Sequence, residues 1–156
     1  MIAKSIGYFG LVCAAAAGAT VGVWAQAPYP LSILERNVLT PQVKPGDPVQ
    51  IELVVDRRQR CPQIINRFVQ YPDGKREAAG RDLPTAYGRM GRDVYVLEVP
   101  TDADAPFGDA EIYSTGEARC NPYQEWVKPV ESGDPWHDRF KFAQETVRVP
   151  SKNFPK

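Results

Sequence analysis

Beyond its first 27 residues, the chain is written in short runs where apolar and polar residues alternate. The clearest run has Val49, Ile51, Leu53 and Val55 interleaved with Gln50, Glu52, Val54 and Asp56. An extended chain turns successive side chains to opposite faces, so this run puts an apolar face inward and a mostly polar one outward. It predicts a half-buried antiparallel strand. Lys44-Pro45-Gly46-Asp47 reads as the turn before it, and Ser32 to Leu39 as an edge strand. Further on, Ile64 to Tyr71 runs into Pro72-Asp73-Gly74, and Lys75 to Leu83 returns. Proline with its fixed φ and a permissive glycine predict a tight hairpin there.

The second half repeats this grammar. Asp93 to Val99 is β-branched and aromatic and stops at Pro100, which cannot donate to a ladder. Pro106-Phe107-Gly108 turns the chain into a strand in which Ala110, Ile112 and Ser114 alternate with Glu111, Tyr113 and Thr115. In the last run Phe140 and Phe142 share one parity and Val147 and Val149 the other. That segment is either bulged near Gln144 or made of two short strands. Six or seven strands at this spacing predict an all-β, antiparallel β-sandwich.

Residues 5 to 27 carry no formal charge, and Lys4 precedes them. About 20 apolar residues suffice to span a bilayer as a helix, whereas a secretory signal needs a shorter stretch and small residues at the cut. Length, together with Trp24 and Tyr29 at the outer end, favours a retained anchor. Val23-Trp24-Ala25 keeps cleavage before Gln26 open. With Lys4 held on the cytoplasmic side, both readings place residues 28 to 156 outside the cytoplasm. Retention gives a single-pass inner-membrane protein with its domain in the periplasm, and cleavage gives a secreted one. Gly7, Gly10, Ala14, Ala17, Gly18 and Thr20 would also let a second helix approach closely. Cys13 lacks the small preceding residues of a lipoprotein site and reads as apolar filler.

Export changes how the other two cysteines read, because disulfides persist outside the cytosol. Cys61 and Cys120 are predicted to pair, closing a loop for which chain entropy gives about 4 kcal/mol. Neither Cys-x-x-Cys spacing nor a second histidine offers a metal or redox alternative. The organisation is then an anchor or signal over 1 to 27, one sandwich over 28 to 150, and a tail over 151 to 156. The formal charge of zero invites no nucleic acid. The cysteines fall after the second and the penultimate strands, those an immunoglobulin-like sandwich commonly ties across its two sheets. No tryptophan lies between them, so the topology is immunoglobulin-like without the core pin of antibody domains.

An N-terminal span, the Lys44-Pro45-Gly46-Asp47 turn opening a strand that leads to Arg60-Cys61, and a late Cys120-Asn121-Pro122 occur together in this chain. The combination resembles small anchored β-sandwich proteins of tailed phages and prophages of Gram-negative bacteria, over roughly residues 40 to 125. The resemblance implies an envelope or virion-associated role and brings no catalytic residue or ligand.

Candidate chemistry is thin. His137, the only histidine, has Ser132 as its nearest serine, outside any Gly-x-Ser-x-Gly context. Asp102, Asp104 and Asp109 surround a turn, where carboxylates bond the backbone, and their spacing matches no EF-hand loop. No catalytic residue, metal or cofactor is expected. Nine basic residues fall between 57 and 92, and Arg57, Arg58 and Arg60 are the candidate anion-binding group, against a reading as solvated strand ends. Asn121 to Arg139 reads as a long ordered loop, with Tyr123, Trp126 and Trp136 as candidate partner-binding residues. The function these features favour is a non-catalytic interaction or structural module, an accessory subunit whose partners are other proteins of a membrane or envelope assembly. The alternative is a secreted binder or weak hydrolase acting on an anionic envelope polymer.

Overall fold

The computed structural model describes residues 2 to 82, 89 to 133 and 135 to 152, without the side chains of 2 to 11, 81 and 82. In chain order, helix α1 (Ile2–Ala25) is followed by strands β1 (Leu31–Val38), β2 (Gln42–Val43), β3 (Val49–Arg57), β4 (Gln63–Gln70) and β5 (Arg76–Asp82). Then come β6 (Gly91–Val99), β7 (Gly108–Ala118), the short helix α2 (Pro122–Trp126), β8 (Val130–Glu131) and β9 (Trp136–Phe142).

The expected alternation becomes two sheets with immunoglobulin-like topology, antiparallel except where β2 joins β9. The smaller has the order β1-β3-β6, and the larger β2-β9-β7-β4-β5, with β8 paired to β7. The first strand region divides between them. Leu39 N–H still bonds Gln50 C=O in the smaller sheet, whereas Pro41 C=O accepts from Lys141 N–H and β2 lies parallel to β9. A proline at the crossing removes a donor where the chain leaves one ladder for the other. The β4–β5 hairpin closes as its turn residues require. Gly74 N–H bonds Tyr71 C=O at 2.9 Å, Gly74 takes a φ of 84°, and Asp73 Oδ1 accepts from Lys75 N–H. Leu83, expected at the end of this hairpin, lies outside the described residues.

The inward faces meet in one core. Ile51 and Val55 of β3 and Val99 of β6 oppose Val69, Ile112 and Phe142 of the larger sheet, with Tyr71 and Phe140 beside them. The Tyr71 and Phe142 rings stack with centroids 5.7 Å apart.

Four expectations are corrected. Cys61 and Cys120 are bonded, with Cα atoms 4.9 Å apart, but they do not tie sheet to sheet. They lie just before β4 and just after β7, neighbours in one sheet with Gln63 opposite Ala118, so the bridge closes the end of that strand pair. The segment from Asn121 to Arg139 is not one loop, since it contains α2, β8 and the start of β9. The last run is one strand, after which the chain turns back, so that Val147 N–H bonds Gln42 C=O and Val149 N–H bonds Leu39 C=O. That reversal accounts for the change of parity. On β3 the outward-facing Glu52 and Val54 are buried too, and the Ser151 hydroxyl donates to Glu52 Oε1.

α1 joins the sandwich at the end where β1 begins. Val12, Val21 and Val23 are exposed along it, as is the free Cys13. Among the described residues no helix is long and apolar enough to cross a membrane. The described side chains of α1 begin only at Val12, short of the about 20 apolar residues that a span needs, so the expected single-pass anchor has no support from that stretch.

Candidate functional site

The proposed partner-binding trio falls on two elements, Tyr123 and Trp126 on α2 and Trp136 at the start of β9. Asn121 caps α2, its Oδ1 accepting from Gln124 N–H at 3.0 Å, and Pro122 follows at the first helical position, where a missing N–H costs nothing. Gln124 turns inward, where its Oε1 accepts from Cys120 N–H at 2.8 Å. The Arg119 guanidinium donates to Glu125 C=O, and Asn121 Nδ2 donates to Trp24 C=O at 3.2 Å. These bonds, next to the disulfide, hold α2 rigidly against the last turn of α1. They leave Trp126 84% and Val127 68% exposed. Tyr123 is half-buried. Trp136 belongs to β9, where its ring meets Tyr29 edge-on at 6.3 Å. Tyr29 in turn covers Gly116, where an added Cβ would lie 2.9 Å from Tyr29 Cζ. Burial pushes the Tyr29 phenol up to about 12.

The arginine group also divides. Arg57 is buried, whereas Arg58 and Arg60 are exposed, and Arg58 lies 3.9 Å from Asp56.

A site that sequence reasoning missed lies on the solvent-facing side of the larger sheet. Phe68 on β4 is opposite Tyr113 on β7, and Tyr113 is opposite His137 on β9, so three rings line up across three strands. The Arg76 guanidinium lies 4.7 Å from the Phe68 ring centre and 4.9 Å from that of Tyr113. His137 meets Tyr113 edge-on at 4.5 Å. The Tyr113 hydroxyl donates to Glu111 at 2.6 Å, and Arg139 Nε donates to the other carboxylate oxygen at 2.6 Å. Those two hydrogen bonds, Tyr113 first, hold the Glu111 carboxyl below its ordinary value. An open groove of about 520 Å³ continues from Glu111 and Arg139 past Asp109 to Gln70 and Pro72. The signal was available in the sequence as the outward parity of each strand, but register decides which outward residues meet, and a single strand does not carry it.

Beneath this face, Asp138 is buried and lies 3.6 Å from Arg36. With Arg67, Ser114 and Tyr95 they line a cavity of about 20 Å³, room for one water. Burial raises the Asp138 carboxyl, against the opposing pull of Arg36 and His137. A carboxyl raised in the fold stabilises the fold most below its unfolded value and loses that contribution as pH rises through the folded one. Asp138→Asn is therefore expected to remove a decline in stability across the acid range, read as urea midpoints from pH 3 to 7.

His137 meets a ring and not a nucleophile, while the Ser132 hydroxyl accepts from Gly116 N–H. Asp102 Oδ1 accepts from Asp104 N–H, which is turn chemistry. Among the described residues no group of three metal-ligating side chains occurs.

No family model matches the chain, and no curated protein matches it. Among solved structures, a chain from the complex of Zinc 2-glycoprotein with prolactin inducible protein from human seminal plasma is similar at 12% identity. That match covers 73% of this chain and 97% of that one, with a TM-score of 0.28, and it carries no argument about function.

Proposed function

We propose that this chain is a non-catalytic interaction module, an accessory subunit of a membrane or envelope assembly, possessing no enzyme site. The single observation behind this reading is the solvent-facing array in which exposed Arg76 and His137 flank the half-buried rings of Phe68 and Tyr113. Arginine and tyrosine concentrate binding energy at protein interfaces, and an arginine already stacked on two rings loses little freedom on contact. Glu111, fixed from two sides, adds a set acceptor beside it.

Location supports the same reading. A disulfide fits an oxidising compartment outside the cytosol. In the finer form proposed here, residues 5 to 27 hold the protein at the inner membrane with its domain in the periplasm, the arrangement that its resemblance to anchored phage and prophage sandwich proteins implies.

The test is purification from gently solubilised membranes, with partners identified and their affinities measured. Arg76→Ala is expected to weaken the partner by about 2 kcal/mol, roughly 30-fold, with the melting temperature unchanged. Wild-type affinity in both Arg76→Ala and Tyr113→Ala would remove the sheet face from consideration. The secreted alternative, a binder of anionic polymer, has one feature in its favour, the exposed Arg58 and Arg60 beside the disulfide. It requires the exported fraction to hold a chain beginning at Gln26.

A further inference from the structure

The end of the sandwich where α1 enters gathers exposed cations from several segments. Arg58, Arg60, Arg89, Arg92, Arg119 and Lys128 are all exposed there. The strand order places them together, because β3 ends there, β4 and β6 begin there, and β7 ends there. The opposite end is mixed, with Asp47, Asp73, Asp102, Asp104 and Glu145 in its turns, Asp109 at the start of β7, and Lys44 and Lys75 exposed beside them.

Acidic groups also occur at the basic end. Asp56 lies near Arg58, Glu35 binds Arg92 at 3.3 Å, Asp93 follows Arg92 on β6, Glu125 lies in α2, and Glu117 and Glu131 flank that helix on β7 and β8. Arg60 and Arg89 make no ion pair among the described residues. Within this end stand Trp126 and Val127, the two most exposed large apolar side chains of the sandwich among the described residues, in and after α2, whose cap Asn121 bonds Trp24 in the last turn of α1.

We infer that this end seats on an anionic lipid surface, with Trp126 and Val127 entering the headgroup layer and Lys128 and Arg60 meeting lipid phosphates. Three independent features converge on that occupant. Tryptophan favours the membrane interface because one ring combines apolar area with an N–H donor. Exposed lysine and arginine gain from a negative surface potential. The patch is continuous with α1, whose described apolar side chains Val12, Val21 and Val23 have no protein cover.

The seating does not require α1 to cross the membrane, and it rests on the proposed function only in placing the protein at one. It would fix the orientation, with the turns of the opposite end facing away and the Arg76 face directed sideways, open to a neighbour.

The test uses the full chain reconstituted in phosphatidylcholine vesicles with and without phosphatidylglycerol, with some lipids brominated just below the headgroup. Quenching of tryptophan fluorescence is compared between wild type and Trp126→Phe, a substitution at an exposed position. Expected is a quenched component present in wild type and lost in Trp126→Phe. Arg60→Gln and Lys128→Gln are each expected to weaken partitioning about fivefold on anionic vesicles and not on neutral ones. Equal quenching in wild type and Trp126→Phe would overturn the inference, as would photocrosslinks from position 126 that go to protein in native membranes. Alkaline extraction of native membranes tests residence at the membrane separately. A chain that resists extraction but shows equal quenching loses the seating alone, and a chain released as soluble protein loses the membrane placement in the proposed function.

Discussion

Replacing Cys61 and Cys120 together by alanine is expected to lower the free energy of unfolding by about 4 kcal/mol, with the sheet order preserved. The size comes from the length of chain that the bridge encloses, a sequence separation of 59, because a long loop held closed removes many conformations from the unfolded ensemble. The location explains why the fold should survive. β4 and β7 already pair along eight residues, from Gln63 opposite Ala118 to Gln70 opposite Glu111. Arg119 N–H extends that pairing to Pro62 C=O at 3.0 Å. The bridge thus closes a pair the ladder already forms, and its contribution lies chiefly in the unfolded state.

Urea unfolding at neutral pH, with and without the bridge, checks the magnitude. A loss below about 1 kcal/mol would mean that the unfolded chain already keeps β4 and β7 together. Local loosening is expected beside the bridge. Gln124 receives Cys120 N–H, so amide exchange of Cys120 and α2 should quicken before that of β7.

Much of this architecture was legible because burial repeats with period two. The parity of Val49, Ile51, Leu53 and Val55 marks the inward face of β3, and Pro72-Asp73-Gly74 fixes the β4–β5 hairpin by proline and glycine backbone preference alone. Less was legible where one strand's meaning depends on another. The pairing of Cys61 with Cys120 followed from compartment and count. Whether the bridge crosses between sheets depends on where β4 begins, and Gln63 lies only two residues beyond Cys61. Trp136 read as a loop residue because it falls among Pro122, Pro129 and Pro135 with little periodicity, yet it opposes Ser114 in the ladder.

The aromatic row on the larger sheet shows the same boundary. Phe68, Tyr113 and His137 lie on three different strands, far apart in sequence, and only register aligns them. Arg76 enters the row from a fourth strand whose pairing with β4 shifts between Arg67 and Phe68. No local pattern encodes that bulge. The gathering of cations at the α1 end, by contrast, was half visible. Arg57, Arg58 and Arg60 stand together in the sequence, but their meeting with Arg89, Arg92, Arg119 and Lys128 at one end follows from strands that alternate in direction.

The second large effect lies at the other end of the sandwich. Phe142→Ala is expected to cost about 4 kcal/mol, because a fully buried ring is removed and its neighbours close only part of the space. Phe142 stacks on Tyr71 and meets Phe140 edge-on at 5.0 Å. It also stands opposite Gly108 on β7 and Val43 on β2, so three other segments meet β9 at this residue. Phe142→Leu, which keeps most of the volume, should cost far less, and the contrast separates a cavity from a lost aromatic contact. Because the disulfide lies at the α1 end and Phe142 at the far end, the two losses should add to within about 0.5 kcal/mol. Together they would remove about 8 kcal/mol, comparable to the whole stability of an ordinary domain, so the combined variant is expected to be unfolded at 25 °C by circular dichroism. Survival of its fold would mean that the core does not depend on this aromatic cluster, and would shift the weight of stability to the buried face of β3.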